Sequence, residues 1–405
     1  MTVKKLLKFI NCSLCDKGKL ISNSELWVNV EEGIIVSAPS LEDEIFYDTV
    51  DLQNLIVAPG FIDIQINGAF GFDFSCSQDS KEYSKNYGKM MKEMIQTGVT
   101  SICPTLPSTF PEIYKVALPI LKKSRNSTTT DSLGAHIEGP FLSPQKKGCH
   151  IPTAIRTAKD GFDTMIEVYG GEAAFDNISI VTAAPEVEGI MECIPELTKR
   201  GVTYSIGHTM ATYEEAKDAL KRGATMITHL YNAMPQPHHR EPGVVGLVGM
   251  PSTADSNGLQ NPFFGIVADG IHVHPAAVNF AYQTSKDKCI LVTDAMMLIG
   301  LPNGIYQWEG RFIEKTDNYL HMKGTDTIAG SATDLPQCLR NLMQWSSLDL
   351  ATAVKCVTNH PSSALGLEKK KGYLNPGCDA DLTILDINGN VKQVYKLGNK
   401  IFDKK

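Results

Sequence analysis

The chain has 405 residues, of which 42% are hydrophobic and 20% are charged. This balance is enough to bury a large core and excludes an intrinsically disordered chain. The 38 basic and 45 acidic residues give a formal net charge of −7, which argues against nucleic acid as the main partner. No apolar run reaches the roughly 18 residues that a membrane-spanning helix needs, so we expect no membrane partner either.

The first residues are typical of a β-strand rather than a secretory signal, because Lys8 interrupts a short apolar run. The ten cysteines are scattered along the chain. Only Cys12 and Cys15 form a C-x-x-C pair, whereas a zinc knuckle needs two such pairs. These features predict reduced thiols and a cytoplasmic protein.

Short apolar runs recur through the middle of the chain and are typical of strands that are buried on both faces. We predict eight such strands, at residues 55–65, 99–104, 133–138, 178–183, 202–207, 225–229, 264–268 and 289–294. Helices are predicted between them, for example at residues 83–96, 187–199, 212–222 and 275–284. Eight β-α units over about 250 residues predict an α/β fold of the (β/α)8 TIM-barrel type. The alternative is a doubly wound open sheet, whose dinucleotide-binding form would need a G-x-G-x-x-G turn that the sequence lacks.

The two ends of the chain show alternating apolar and polar residues instead. Residues 1–54 and 366–405 predict one small β-sandwich domain that is discontinuous in sequence, because neither end is long enough to bury a sheet alone. Residues 55–365 would then form the barrel domain. Within it, residues 303–330 predict a β-rich insertion after strand eight, and residues 334–346 and 350–365 predict closing helices.

Chemistry-bearing side chains fall at the carboxyl ends of the predicted strands, where TIM-barrel active sites lie. Strand three ends in Glu138, strand five runs into His208, strand six ends in His229 and strand eight ends in Asp294. A carboxylate and two neutral imidazoles suit Zn²⁺ or a similar ion, which lowers the pKa of a bound water to about 7. We therefore assign Glu138, His208 and His229 as metal ligands and Asp294 as the general acid–base. A lone histidine at a strand end is more often structural, so the assignment depends on all of these residues occurring together.

Other histidines and one arginine occupy the loops of the same rim. His150 and His272 are expected to contact substrate, because rim loops supply such contacts. His136 points into the barrel and either supports the site or simply packs. Arg240, in the segment HHREPG, could bind a phosphate bidentately and favours a small anionic substrate. No site role is expected for the remaining candidates His274, His321 and His360.

A dozen motifs then occur in a fixed order: APGFIDIQINGAFG, GVTSICPTL, HIEGPF, KKGCH, TAAPE, SIGHT, THLYNAM, REPG, VADGIH, LVTDA, IAGS and GCDADLTILD. Together they resemble the N-acetylglucosamine-6-phosphate deacetylases of the amidohydrolase superfamily, over essentially the whole chain. The resemblance implies a metal-dependent hydrolase that converts N-acetylglucosamine 6-phosphate into glucosamine 6-phosphate and acetate in amino-sugar metabolism.

The resemblance also implies roles for individual residues. Glu138, His208 and His229 match the metal ligands, and Asp294 matches the catalytic acid–base. The family residues that line the amino-sugar site correspond to Cys149, Asn232, Ala233, His272, Ile328, Ala329 and Gly330. Arg240 matches an arginine that reaches the phosphate of substrate held in the neighbouring subunit, which implies a homodimer. His150 matches a histidine of the substrate pocket, and whether it polarises the carbonyl or contacts the sugar is left open.

Gln65 and Asn67 stand where many members of the wider superfamily carry H-x-H and hold two metals. Neutral amides are poor zinc ligands, so we expect one divalent ion per subunit. Two other functions remain open: hydrolysis of a different amide on the same scaffold, and a non-catalytic protein that has kept the barrel.

Overall fold

The computed structural model describes residues 5–40, 46–76, 79–251, 259–308, 311–325 and 328–404. Its centre is a parallel barrel with the strands Phe61–Ile66, Val99–Pro107, Ala135–Glu138, Ile178–Ala183, Thr203–Ile206, Met226–Ile227, Phe263–Ile266 and Cys289–Leu291. The short strand Asp131–Ser132 also pairs with the second barrel strand. Beyond strand eight, the Asp294 N–H donates to the Gln65 carbonyl over 2.9 Å and brings the ends of strands eight and one together. The predicted TIM-barrel fold is confirmed.

The barrel strands are buried on both faces, which explains their continuous apolar runs. Successive side chains of a strand point to opposite faces, so Ile62 and Ile64 enter the barrel interior with Ile180 and Val292. The opposite faces of the strands pack against the surrounding helices in a larger apolar cluster. His136 is fully buried in the interior, where its Nδ1 lies 2.9 Å from the Ile64 carbonyl and its Nε2 lies 2.7 Å from Thr182 Oγ1. It therefore links strand three to strands one and four.

Helices surround the barrel as predicted, with bounds Ser80–Glu93, Pro111–Ala117, Phe162–Tyr169, Ile190–Lys199, Tyr213–Lys221, Pro275–Thr284, Leu335–Ser346, Leu350–Val354 and Asn359–Ala364. Shorter 3-10 helices are Met94–Thr97, Pro144–Lys146, Pro152–Ala154, Glu172–Asn177, Val244–Gly249 and Lys355–Val357. Local signals set several ends: Thr212 and Glu215 form a capping box, and His274 caps the helix that begins at Pro275. Within the described ranges, no helix combines the length and apolarity needed to cross a membrane.

The prediction of one closing helix over residues 350–365 is wrong. The chain leaves helical geometry at Thr358, which has φ −134° and ψ −77°. Pro361 follows three residues later, and a proline within a helix would remove a backbone hydrogen bond. The segment therefore consists of two short helices joined by a 3-10 turn.

Both chain ends contribute to a second, eight-stranded sheet. Its strands are Leu6–Asp16, Lys19–Asn29, Ile34–Val36, Tyr47–Asp51, Ile56–Pro59, Leu382–Leu385, Val391–Lys396 and Asn399–Asp403. Ile56–Pro59 pairs with Leu6–Asp16 and Leu382–Leu385, so the predicted single strand over residues 55–65 is wrong. That apolar run serves two sheets in succession, and the change falls at Gly60, where an added Cβ would lie 2.1 Å from Thr100 Oγ1.

A buried ionic cluster connects this sheet to the barrel. The ammonium groups of Lys371 and Lys396 each lie within 2.8 Å of carboxylate oxygens of Asp131 and Asp381. Asp131 belongs to the barrel sheet, whereas Lys396 belongs to the sheet of the chain ends. Burial alone would raise the pKa of Asp381, but the two lysine charges lower it to about 2. The carboxylate therefore stays ionised and paired.

The predicted β-rich insertion is a four-stranded antiparallel sheet with the strands Gly304–Trp308, Arg311–Thr316, Tyr319–Met322 and Ile328–Ser331. Lys315 anchors it, because its Nζ donates to the carbonyls of Leu298 at 2.9 Å and Leu301 at 2.6 Å. A small hairpin of Gly68–Ala69 and Phe72–Asp73 follows the first barrel strand. The insertion and the hairpin lie on the same side of the barrel as the predicted site.

Candidate active site

The three predicted ligands converge at the carboxyl end of the barrel. Oε1 of Glu138 lies 3.1 Å from Nε2 of His208 and 2.9 Å from Nε2 of His229. The two Nε2 atoms are themselves 2.9 Å apart. All three side chains are almost fully buried. Burial alone would raise the pKa of Glu138, but its close contacts with the imidazoles of His208 and His229 hold that pKa well below its usual range.

The donor atoms of this cluster fit a cation. Nδ1 of His208 lies 2.7 Å from the Lys146 carbonyl, which only accepts, so Nδ1 carries the hydrogen. Nε2 of His208 then presents a lone pair towards the carboxylate of Glu138. Two acceptors 3.1 Å apart are stabilised when a positive charge lies between them. The residues therefore suit a divalent ion with mixed imidazole and carboxylate ligands.

The backbone conformation at three site residues directs their side chains towards the barrel mouth. His208, His229 and Asp294 lie just beyond their strands, and their φ angles are 49°, 30° and 45°. Non-glycine residues rarely adopt this left-handed region, and residues held there concentrate at functional sites. The turn that ends each strand directs its side chain into the barrel mouth.

Asp294 lies at the same mouth, held by one neighbour. Nδ2 of Asn67 donates to Oδ1 of Asp294 over 2.8 Å. Burial, and then the negative charge of Glu138, raise the pKa of Asp294 above its ordinary value. A carboxyl group with a raised pKa suits a residue that both accepts and returns a proton.

His150 approaches the cluster from the loop after strand three, and its ring centroid lies 4.4 Å from that of His208. The backbone N–H of Ser108 donates to Nδ1 of His150 over 3.0 Å. Burial lowers the pKa of His150 to about 3, so the ring is neutral. An imidazole that accepts at Nδ1 carries its hydrogen on Nε2.

Ligand atoms of Glu138, His150 and His208 all lie within 4.8 Å of one another, so His150 is near enough to be considered as a ligand. Its tautomer argues against that role, because a protonated Nε2 offers no lone pair. A second group of carboxylates, Asp131, Asp379 and Asp381, is also close enough to hold an ion. The ammonium group of Lys371 already occupies it.

A cavity of about 220 Å³ lies above the cluster and is lined by most of the predicted substrate contacts, namely Cys149, His150, Asn232, Ala233, His272 and Gly330. His272 is held by Asp269, whose Oδ2 lies 2.7 Å from its Nδ1. Burial alone would lower the pKa of His272, but the hydrogen bond to Asp269 raises it. The other ring nitrogen, Nε2, is left for the cavity.

Arg240 does not enter this cavity. Its side chain is exposed, with Nη1 3.1 Å from Nε2 of His239. Ile328 and Ala329 belong to the last strand of the insertion, and their side chains fall outside the described atoms. A larger cavity of about 730 Å³ adjoins the site and shares Asn232 and His272 with it.

The prediction did not single out several residues of the cavity wall: Asp73, Ser75, Pro107, Met296 and Trp308. They come from the hairpin after strand one, the end of strand two, the segment after strand eight and the insertion. None belongs to a chemical motif, and only the folded chain brings them together. The position of Asn67 at the end of strand one places it at the rim in the sequence prediction. Its hydrogen bond to Asp294 could not be predicted, because the two residues are 227 positions apart.

Comparisons with known proteins identify the family of the chain. The profile of the amidohydrolase family matches residues 56–401. The N-acetylglucosamine-6-phosphate deacetylase of Danio rerio is 37% identical over 98% of this chain and 97% of its own. The crystal structure of the enzyme of that name from Pasteurella multocida has a TM-score of 0.84 at 27% identity, covering 98% of this chain and 100% of its own.

A substituted N-acetyl-D-glucosamine-6-phosphate deacetylase from Mycobacterium smegmatis, solved with N-acetyl-D-glucosamine-6-phosphate, is also similar. It has a TM-score of 0.79 at 28% identity and covers 98% of this chain and 99% of its own. The family profile covers most of the chain, and the relatives match nearly all of it. The chain therefore belongs to the amidohydrolase family, and within it to the group of the N-acetylglucosamine-6-phosphate deacetylases.

Proposed function

We propose that the chain hydrolyses the acetamide of N-acetyl-D-glucosamine 6-phosphate to D-glucosamine 6-phosphate and acetate. The observation that carries the proposal is the convergence of Glu138, His208 and His229 within 3.1 Å, at the base of a cavity that Asp294 also lines. The names of the relatives support the same substrate. A role in amino-sugar metabolism follows from that reaction.

Glu138, His208 and His229 would hold one divalent ion per subunit, which we propose is zinc. Amidohydrolases are metal-dependent, and a carboxylate with two imidazoles suits zinc. When bound, such an ion supplies a Lewis acid that activates water and polarises a carbonyl. Gln65 offers no second site, because its Nε2 donates to Oε1 of Glu138 over 3.2 Å.

Asp294 acts as the acid–base. It accepts a proton from the water that attacks the acetyl carbonyl and then delivers that proton to the departing amine. Asn67 holds Oδ1 and leaves Oδ2 for the transfer. The raised pKa of Asp294, which results from burial and then from the charge of Glu138, favours the second half of this cycle.

His150 donates from Nε2 to the acetyl oxygen as negative charge develops there. This role follows from the Ser108 N–H at Nδ1, which fixes the tautomer. A donor that is already oriented in a buried site costs no reorganisation during the reaction. The choice left open by the sequence, carbonyl or sugar, is therefore resolved in our proposal in favour of the carbonyl.

The sugar would contact Cys149, Asn232, Ala233, His272 and the segment from Ile328 through Ala329 to Gly330. The phosphate would be bound by Arg240 of a second subunit in a homodimer. Arg240 is exposed and lies outside the cavity of its own chain, as this arrangement requires. A guanidinium group matches phosphate bidentately.

The experiment measures acetate release from N-acetylglucosamine 6-phosphate. Unphosphorylated N-acetylglucosamine and N-acetylgalactosamine 6-phosphate are measured in parallel. Release from the phosphorylated gluco-sugar supports the proposal. If a folded, metal-loaded protein left that sugar intact, another acyl substrate would replace it. A metal content far below one ion per chain, in protein purified without chelator, would favour a non-catalytic role.

A further inference from the structure

One wall of the catalytic cavity has no part in the mechanism above. It consists of Asp73 and Ser75 from the hairpin after strand one, Pro107 from the end of strand two, Met296 from the segment after strand eight, and Trp308 from the insertion. In a closed barrel, strands eight, one and two are neighbours, so these residues form one continuous side of the cavity.

A hydrogen bond fastens this wall. Nε1 of Trp308 donates to Oδ2 of Asp73 over 3.1 Å and joins segments that are 235 residues apart. The other oxygen of Asp73 accepts from the backbone N–H of Ser75 at 2.8 Å and from its hydroxyl at 2.6 Å. Both oxygens of the carboxylate are therefore engaged in holding the wall, which argues against a catalytic role for Asp73.

The rest of the insertion supports Trp308 from behind. Met296 and Trp308 belong to an apolar cluster that is separate from the barrel core and includes Leu298, Ile313 and Leu320. The Met296 N–H donates to the Ser331 carbonyl over 3.2 Å, which ties the segment after strand eight to the insertion. The wall therefore offers the cavity three apolar side chains, those of Pro107, Met296 and Trp308, beside the polar Asp73 and Ser75, and the insertion supports it from behind.

The geometry of an acetamide indicates what this wall contacts. The carbonyl carbon carries an oxygen, a nitrogen and a methyl group in three different directions. In the proposed reaction the oxygen faces His150, and the nitrogen leads to the sugar. Most of the sugar contacts follow strands three, six and seven, and the remainder come from the last strand of the insertion. The methyl group is left to face strands eight, one and two.

We propose that Trp308, fastened by Asp73 and flanked by Met296 and Pro107, forms the acyl subsite and limits the N-acyl group to about the size of acetyl. This inference rests on the proposed deacetylase function and adds the residues that select the acyl group. Gly330 borders the subsite, because an added Cβ there would lie 2.9 Å from Sδ of Met296. A fixed indole in a cavity of about 220 Å³ leaves little room for further methylene groups.

The test compares kcat/KM for the N-acetyl, N-propionyl and N-butyryl forms of glucosamine 6-phosphate, measured by release of the amine. Trp308→Ala should raise the butyryl-to-acetyl ratio by about tenfold or more, the scale on which apolar pockets discriminate methylene groups. Trp308→Phe, which keeps most of the bulk, should raise it less. Ile305→Ala is the matched control, since Ile305 lies on the same strand and is 52% exposed.

A second variant protects the test against misfolding. Asp73→Ala keeps the indole but removes its acceptor, so the ratio should move in the same direction by a smaller factor. An unchanged ratio in both variants, or an equal loss on all three substrates, would overturn the acyl-subsite assignment. Failure of the unaltered enzyme on the N-acetyl substrate would instead overturn the proposed function.

Discussion

Asn67 holds Asp294 through a 2.8 Å hydrogen bond from Nδ2 to Oδ1, and this contact joins the ends of the first and eighth barrel strands. The backbone repeats the connection, since the Asp294 N–H donates to the Gln65 carbonyl and the Asn67 N–H to the Ala295 carbonyl, each over 2.9 Å. The proposed acid–base is thus fixed at the point where the barrel closes. A residue positioned in this way can transfer a proton without first reorganising.

Replacing Asp294 with Asn should abolish proton transfer while keeping the shape of the side chain and an acceptor for Asn67. We expect kcat to fall by about 10³-fold or more, the upper part of the range for a lost general acid–base. Metal content should stay near that of the unaltered protein, because Asp294 is not among the proposed ligands. Steady-state kinetics and elemental analysis measure the two quantities, and retention of most activity would remove Asp294 from the mechanism.

His150→Phe separates the two roles that geometry allows for this residue. The substitution keeps a ring against His208 but removes the Nε2 donor. We expect kcat to fall by about 10²- to 10³-fold, as for loss of one oxyanion donor. Metal content should not change, whereas a loss of bound metal would make His150 a ligand instead.

The shared active site can be tested by mixing two inactive subunits. Arg240→Ala lacks the phosphate contact, and Asp294→Asn lacks the acid–base. In a mixed dimer, one site combines an intact Asp294 with the partner's Arg240. Random pairing makes half of the dimers mixed, each with one working site of two, so activity should return to roughly one quarter of the normal value.

Mixtures of each variant with itself serve as controls and should stay inactive on dilute substrate. Arg240→Ala alone should raise KM for the phosphorylated sugar and leave the unphosphorylated one unaffected. If mixing restores nothing, Arg240 does not act across a subunit interface.

The buried ionic cluster should make stability depend on acid pH. The pKa of Asp381 is lowered to about 2, so its contribution is complete above the unfolded pKa near 4 and is lost as the pH falls towards 2. Between those values the unaltered protein should lose about 2 kcal/mol of unfolding free energy that an Asp381→Asn variant does not lose. Denaturant titrations at several pH values measure the difference.

At neutral pH, Asp381→Asn should itself cost about 3–5 kcal/mol, because two buried lysine charges lose a shared carboxylate and, within the part of the chain that the structure describes, Lys396 keeps only Asp131 as an ion-pair partner. Asp403→Asn is the matched control: its ion pair with Lys400 is also 2.8 Å long but about half exposed, so its loss should cost less than about 1 kcal/mol. Equal losses in the two variants would show that the buried cluster contributes no more than a surface pair.

The sequence predicted the parts of the fold that depend on local periodicity. Strand four, Ile178–Ala183, and the helix Pro275–Thr284 have the predicted bounds, because an apolar run and an N-terminal proline mark them directly. The run over residues 55–65 could not be divided in the same way. An apolar strand of either sheet has the same periodicity, and only the partners of Ile56–Pro59 distinguish them.

In the candidate site, too, some features could be predicted from the sequence and others depend on distant contacts. Glu138, His208, His229 and Asp294 were predicted because a barrel brings all strand ends to one rim. The tautomer of His150 could not be predicted, since it depends on the Ser108 N–H, a contact 42 residues distant. No sequence motif marked Trp308 as a site residue. Its place in the wall depends on how the insertion folds back over the barrel.

The most direct test of the account is acetate release from N-acetylglucosamine 6-phosphate, measured with and without a chelator and after zinc is restored. We predict release that the chelator abolishes and zinc recovers, with little or none from unphosphorylated N-acetylglucosamine. Undiminished release after the metal has been removed, or no release from a folded and metal-loaded protein, would contradict the account.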